Sequence, residues 1–175
     1  MSGLIHLYHG DGKGKTTAAI GLSIRAAGNN MNVIFVQFLK GSHTGEMQIL
    51  NNISNIAIFR NSKDFGFLKN MSAHQIEEIT EMHNSNLYAA LEIVNQNQCD
   101  LLVLDEVCAA FNSNVIDKAS IIHLIKNKPD SLELVLTGRN PDKIFLEYAD
   151  YITEMKNGKH PFSSKNITAR KGIEY

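Results

Sequence analysis

The chain has no tryptophan, only two cysteines and no surplus of either charge. Each shortage removes a class of function. Cys99 and Cys108 flank one predicted strand, which holds them beyond disulfide reach, so free thiols in a reducing cytoplasm are expected. Two cysteines without a Cys-x2-Cys or His-Glu-x-x-His pattern do not make a zinc site. Seventeen basic against eighteen acidic residues give no field to steer nucleic acid or a membrane surface. No apolar run reaches the ~18 residues of a membrane span, and Met-Ser-Gly-Leu-Ile-His lacks the charged and apolar regions of a signal peptide. What remains is a 175-residue chain, 43% hydrophobic, suited to one cytoplasmic domain with a real core.

Strand and helix patterns alternate along it. Leu4–Tyr8, Val33–Phe38, Ile56–Phe59, Leu101–Asp105, Leu132–Thr137 and Tyr151–Glu154 read as strands. Lys15–Ala27, Ala73 to about Gln98, Val115–Asn127 and Pro141–Ala149 read as helices. Lys40–Glu46 reads as a loop, residues 60–72 as irregular, and 155–175 as a polar tail. The alternation predicts one α/β domain over 1–175, with a mostly parallel six-stranded sheet and helices on both faces. Ligands in such sheets sit at the carboxyl ends of the strands.

The strongest motif lies at such an end. Gly10, Asp11, Gly12, Lys13, Gly14, Lys15, Thr16 and Thr17 follow the first strand and open the first helix. Glycines let backbone N–H groups wrap phosphate oxygens, the helix dipole favours an anion, Lys15 and Lys13 add charge, and Thr16 is placed to reach Mg²⁺. The plain alternative is a glycine-rich turn that happens to hold lysines; strand, loop and helix in the required order argue against it. The usual Gly-x4-Gly-Lys-Thr spacing would put a glycine at position 9, where this chain has His9. Asp105-Glu106 ends another strand, where P-loop proteins place a metal-organising carboxylate; a helix-capping acidic pair is the alternative. Thr137-Gly138-Arg139 and Gln37-Phe38-Leu39-Lys40-Gly41 also end strands, each either a ligand contact or an ordinary turn. His9 adjoins the phosphate loop. His6 reads as a packed core histidine, while His74, His83 and His123 fall on helices as solvated or structural residues. Phe65 and Phe67 suit a flat ligand or a loop tucked onto the core.

Taken together, the pieces resemble the P-loop type of ATP:corrinoid (cob(I)alamin) adenosyltransferases. The likeness runs through Gly10–Ala19, Val36–Gly41, Leu104–Glu106, Leu136–Arg139, Ala149-Asp150, Lys159–Phe162 and Gly172–Tyr175. The shortened loop is itself a mark of that family. The resemblance implies a RecA-like fold, a homodimer, and transfer of the 5′-deoxyadenosyl group of ATP to a reduced corrinoid with loss of triphosphate. It implies that the triphosphate lies reversed relative to ordinary NTPases, that Mg²⁺ or Mn²⁺ is needed, and that a flavoprotein reduces the cobalt. By motif match it assigns Lys15, Thr16 and Glu106 to catalysis, and Thr16, Asp105 and Glu106 to the metal. Residues 10–17 with Arg25 and Arg139 fall to ATP, and Phe65, Phe67 and Lys69 to the corrinoid. Lys69 stands where the family carries tryptophan, leaving Phe65 to substitute or pointing to a corrinoid without a bulky lower ligand. Longer relatives carry a leading segment over the site; here the tail with Lys165, Arg170 and Lys171 is the expected cover. A P-loop nucleoside kinase and a RecA-like ATPase are the rival readings. Thymidine kinases need a four-cysteine zinc lasso, and a nucleic-acid-coupled ATPase needs a basic stripe; neither is present.

Overall fold

The computed structural model describes residues 2–173 apart from 42, 43, 62, 64, 67, 160 and 162–165. Six strands form one sheet: β1 (Ile5–His9), β2 (Val33–Gln37), β3 (Ile56–Arg60), β4 (Leu101–Asp105), β5 (Glu133–Gly138) and β6 (Tyr151–Glu154). Their order is β3-β2-β4-β5-β1-β6, and every pairing is parallel. The expected mostly parallel sheet is thus wholly parallel. Every strand delivers its last residue to the same edge.

Side-chain alternation sorts the core into two layers. Val33, Phe35, Leu101, Val103 and Val135 face the layer of α1 (Lys15–Ala27) and α2 (Gly45–Leu50). Ile34, Val36, Leu102, Leu104, Leu134 and Leu136 face the opposite layer. There they meet α3 (Ala73–Asn95), α4 (Val107–Asn112), α5 (Lys118–Asn127) and α6 (Lys143–Tyr148). Strands buried on both faces must be apolar throughout, which is why β2 and β4 read as continuous runs. Ser72 caps α3 in a capping box with Gln75, Asp117 caps α5 and Asp142 caps α6.

Two short helices depart from the expected elements. Gly45–Leu50 is helical where a loop is expected to run through Glu46, and Met47 and Leu50 pin it to the first layer. Val107–Asn112 forms an unexpected helix, and the next helix begins at Lys118 instead of Val115. A six-residue apolar stretch after a strand shows no helical period to detect; tertiary burial decides it. Glu106, with φ 61°, makes the reversal from β4 into α4.

The histidines resolve differently. His6 is no core residue: it is partly exposed, bonds Glu133 through Nε2 and stacks on Tyr151 of edge strand β6. His83 is fully buried and so belongs to the structural alternative. His74 and His123 are exposed.

Cys99 and Cys108 are both free and buried, and burial pushes each thiol up to about 12. Neither has accessible thiolate at neutral pH. The native protein is therefore expected to be silent to Ellman's reagent over minutes and to titrate two thiols in denaturant. Rapid labelling of either in the native state would contradict this packing.

Candidate functional site

The phosphate loop hangs between β1 and the chain leaving β6. Position 9 still belongs to the strand ladder, paired with Gly138 and Glu154, so a histidine fits there. The turn begins one residue later. Gly10 has φ 106°, and a Cβ on it would lie 2.6 Å from the Met155 carbonyl oxygen. The glycine requirement has moved with the turn, which accounts for the irregular spacing. The Gly12 N–H donates to that same carbonyl at 2.7 Å, tying the loop to the sheet.

Helix α1 starts at Lys15 with Gly14 as its N-cap. Unlike α3, α5 and α6, it has no side-chain cap. Its leading N–H groups and dipole therefore face outward, unclaimed by a side chain, which is the chemistry of an anion site. Lys15 is buried (7% exposed) and donates from Nζ to the carbonyls of Gly10 at 2.6 Å and Gly12 at 2.8 Å. Burial lowers its pKa, with Glu106 opposing. Lys13 is exposed and reaches the Ile173 carbonyl at 3.3 Å, bringing the tail to the loop. Thr17 is exposed beside it.

Opposite the loop stands a carboxylate hub. Gln37, Asp105 and Thr137 continue the alternation of Val33/Phe35, Leu101/Val103 and Val135, so all three face α1 at the ends of adjacent strands. Asp105 is fully buried and accepts from four side chains. Oδ1 accepts from Thr137 Oγ1 (2.8 Å) and Thr16 Oγ1 (2.9 Å); Oδ2 accepts from Gln37 Nε2 (3.0 Å) and Lys40 Nζ (3.2 Å). Thr137 Oγ1 in turn accepts the Glu106 N–H at 2.9 Å, holding that residue in its left-handed conformation. The Thr16–Asp105 bond joins the first turn of α1 to the acid that ends β4, across β5.

Gly138 is another glycine that geometry demands. Its φ is 148°, and a Cβ would lie 2.6 Å from Cys108 Cβ. Gly138→Ala is expected to push α4 away from β5 and cost about 1–3 kcal/mol. Equilibrium urea unfolding checks this; wild-type stability would contradict the contact.

The structure thus gathers residues 10–17, Asp105 and Glu106 at one edge. Arg139 also stands there, its Nε 3.8 Å from Asp11 Oδ1, with both side chains exposed. Arg25 is not brought in. It lies in the last turn of α1, ten residues beyond Lys15 and about 15 Å along the axis. A helix returning from the loop carries its far end to the opposite edge of the sheet. Phe65 is half-buried against the core with Lys63 Nζ 4.8 Å above its ring, the tucked alternative. Lys69 is exposed and, with Leu39, Gly66 and Leu68, lines a 310 Å³ cavity. Phe67, like Lys165, lies outside the described residues. Gln37, Lys40 and Thr137, from the two strand-end stretches that the sequence leaves as ligand contact or ordinary turn, join the site through Asp105. The signal was present: each stands at a strand's carboxyl end, and Gln37 is the one polar residue in an apolar run.

Every donor that Thr16, Asp105 and Glu106 offer a cation is a hard oxygen. Gln37 Oε1 is buried without a hydrogen-bond partner beside Asp105, an acceptor suited to a metal-bound water. An ammonium already lies 3.0 Å from Thr16 Oγ1 and 3.2 Å from Asp105 Oδ2. The residues fit Mg²⁺ or Mn²⁺.

A model of the ATP:corrinoid adenosyltransferase BtuR/CobO/CobP family matches residues 1–175. The chain is similar to a corrinoid adenosyltransferase of Sinorhizobium sp, 33% identical over 99% of this chain and 80% of the relative. One from Pseudomonas aeruginosa is 30% identical (99% and 84%), and one from Escherichia coli K12 is 28% identical (99% and 86%). With its parallel RecA-like sheet, its uncapped phosphate loop and this match over its whole length, the chain belongs to the ATP:corrinoid adenosyltransferase family.

Proposed function

We propose that this site transfers the 5′-deoxyadenosyl group of ATP to the cobalt of a reduced corrinoid. Cobalt(I) supplies an electron pair to the ribose C5′ carbon. The C5′–O bond breaks, its electron pair leaves with inorganic triphosphate, and cobalt ends two electrons oxidised in a cobalt–carbon bond. Because the metal substrate is the nucleophile, no side-chain base is required. The protein must instead stabilise charge growing on the leaving triphosphate and hold C5′ in line with cobalt.

The single observation that carries this reading is the bridge from Thr16 to Asp105 beside an uncapped helix N-terminus, in a chain of this family. Lys15, Lys13 and the N–H groups at the start of α1 neutralise the triphosphate. Thr16, Asp105 and Glu106 hold Mg²⁺ or Mn²⁺, which when bound draws charge from the phosphate oxygens. Asp11 and Arg139, adjoining the loop, contact phosphate or ribose. The corrinoid lies over the neighbouring cavity at Leu39, Gly66, Leu68 and Lys69, with Phe65 and Phe67 on its flank. The whole chain acts as one domain and as a homodimer in the cytoplasm, fed by a flavoprotein that supplies cobalt(I); the resemblance supports these points, and the two free thiols suit a reducing compartment.

The test is product analysis. Anaerobic incubation with ATP, Mg²⁺ and chemically reduced cobalamin is expected to yield a light-sensitive cobalt–carbon product and one triphosphate per turnover. ADP or orthophosphate as the only nucleotide-derived product would sink the reading and revive a kinase or ATPase.

A further inference from the structure

The turn after β2 is built to aim one side chain. Leu39 has φ 61°, a left-handed conformation unfavourable for a residue with a Cβ. Two side chains from other elements grip this turn. The Leu39 N–H donates to His83 Nε2 at 3.1 Å, and His83 Nδ1 donates to the Val115 carbonyl at 2.9 Å. A carbonyl only accepts and an N–H only donates, so the imidazole is neutral with its proton on Nδ1. Burial, which lowers the His83 pKa, keeps it so. From the end of β3, Arg60 Nη2 donates to the Lys40 carbonyl at 3.2 Å. The output is the Lys40 ammonium, 3.0 Å from Thr16 Oγ1, 3.2 Å from Asp105 Oδ2 and 3.9 Å from Glu106 Oε1. A cation of the protein's own thus stands where the phosphate-loop hydroxyl meets both acids.

We infer that Lys40 is a built-in cation of this site, aimed by His83 as a positioning residue, which contests Thr16 and Asp105 with a divalent ion until ATP is bound. The inference rests on the proposed metal role of Thr16, Asp105 and Glu106. Its physical basis is charge. A divalent ion entering alone must displace the ammonium from Asp105 and Glu106, the two acids that pair with it among the described residues. A bound triphosphate offers another anion, so the ammonium can turn to it and free the oxygens. Lys40 thereby couples metal entry to nucleotide entry, and the coupling is reciprocal.

Mn²⁺ titration followed by electron paramagnetic resonance tests this without reference to turnover. In the absence of nucleotide, Lys40→Met is expected to bind Mn²⁺ about tenfold more tightly than wild type, because a positive charge about 3 Å from the donors is gone. With ATP present that advantage should vanish or reverse. His83→Leu, which removes the acceptor for Leu39, should tighten nucleotide-free Mn²⁺ binding in the same direction. His83→Gln, which keeps a side-chain acceptor, should return towards wild type. Equal Mn²⁺ affinity of wild type and Lys40→Met without nucleotide overturns the inference alone, provided both bind Mn²⁺ with ATP. A His83→Leu protein that melts early but binds Mn²⁺ as wild type does removes His83 from it. Failure of every protein to bind Mn²⁺ even with ATP overturns the metal role and this inference together.

Discussion

Lys15→Ala is expected to lower adenosyl transfer by about 10²–10³-fold or more, the scale seen when one preorganised donor is removed from a developing oxyanion. The residue sits in the first turn of α1, where the N–H groups carry no side-chain cap, and its ammonium lies over the loop between the carbonyls of Gly10 and Gly12. No other loop residue can take its place: Lys13 is exposed and directed at Ile173. Alanine is a better helix former than lysine, so the fold should survive. Anaerobic single-turnover absorbance, with triphosphate release measured in parallel, separates lost chemistry from lost folding. Near-normal turnover would remove Lys15 from the mechanism. The pH profile gives an independent check. Burial lowers the Lys15 pKa from its ordinary 10.5, so the charged form is present below that lowered value and is lost as pH rises through it. The alkaline limb of kcat/KM, which reports the free enzyme, is therefore expected below 10.5 and should disappear in Lys15→Ala.

Much of this arrangement is legible in the chain. The apolar runs at Val33–Gln37 and Leu101–Asp105 can only be strands buried on two faces, and the start of α1 follows from Gly14-Lys15. The acid pair could be placed at the ligand edge because it terminates one of those runs. What could not be read is what depends on strand order. Gln37, Asp105 and Thr137 are 68 and 32 residues apart, and only the order β2-β4-β5 makes them neighbours. Lys40 joins them through a backbone conformation at Leu39 that leucine would not adopt unaided. Arg25 is the converse case: the resemblance puts it with ATP, whereas helix length carries it about 15 Å from the loop. Helix α4 was illegible for another reason. Val107, Cys108, Ala110 and Phe111 are all buried, so no polar face marks a helical period.

Asp105 offers the sharpest separation of structure from chemistry, because two substitutions there should part company. Asp105→Ala leaves the donors of Thr16, Gln37, Lys40 and Thr137 without their shared acceptor. Breaking a buried ion pair costs about 3–5 kcal/mol; Lys40 is one-third exposed, which puts this case near the lower end. Roughly 2–4 °C per kcal/mol for a chain of this size gives a fall in Tm of about 10 °C. Asp105→Asn behaves differently. Its oxygen can still accept from Thr16 and Thr137, while its amide would meet the Gln37 amide donor to donor. Gln37 can turn over, because its Oε1 has no partner to lose and would then accept from the new amide. The hydrogen bonds are largely restored and the expected destabilisation falls to about 1 kcal/mol. The negative charge is not restored: Lys40 loses the nearer of its two counter-ions, and the metal loses a fully buried anionic oxygen. Transfer should therefore collapse in both variants, while only Asp105→Ala melts early. Thermal unfolding beside triphosphate release measures the two effects. Substantial turnover in Asp105→Asn would make Asp105 a structural strut and leave Thr16 and Glu106 to hold the metal.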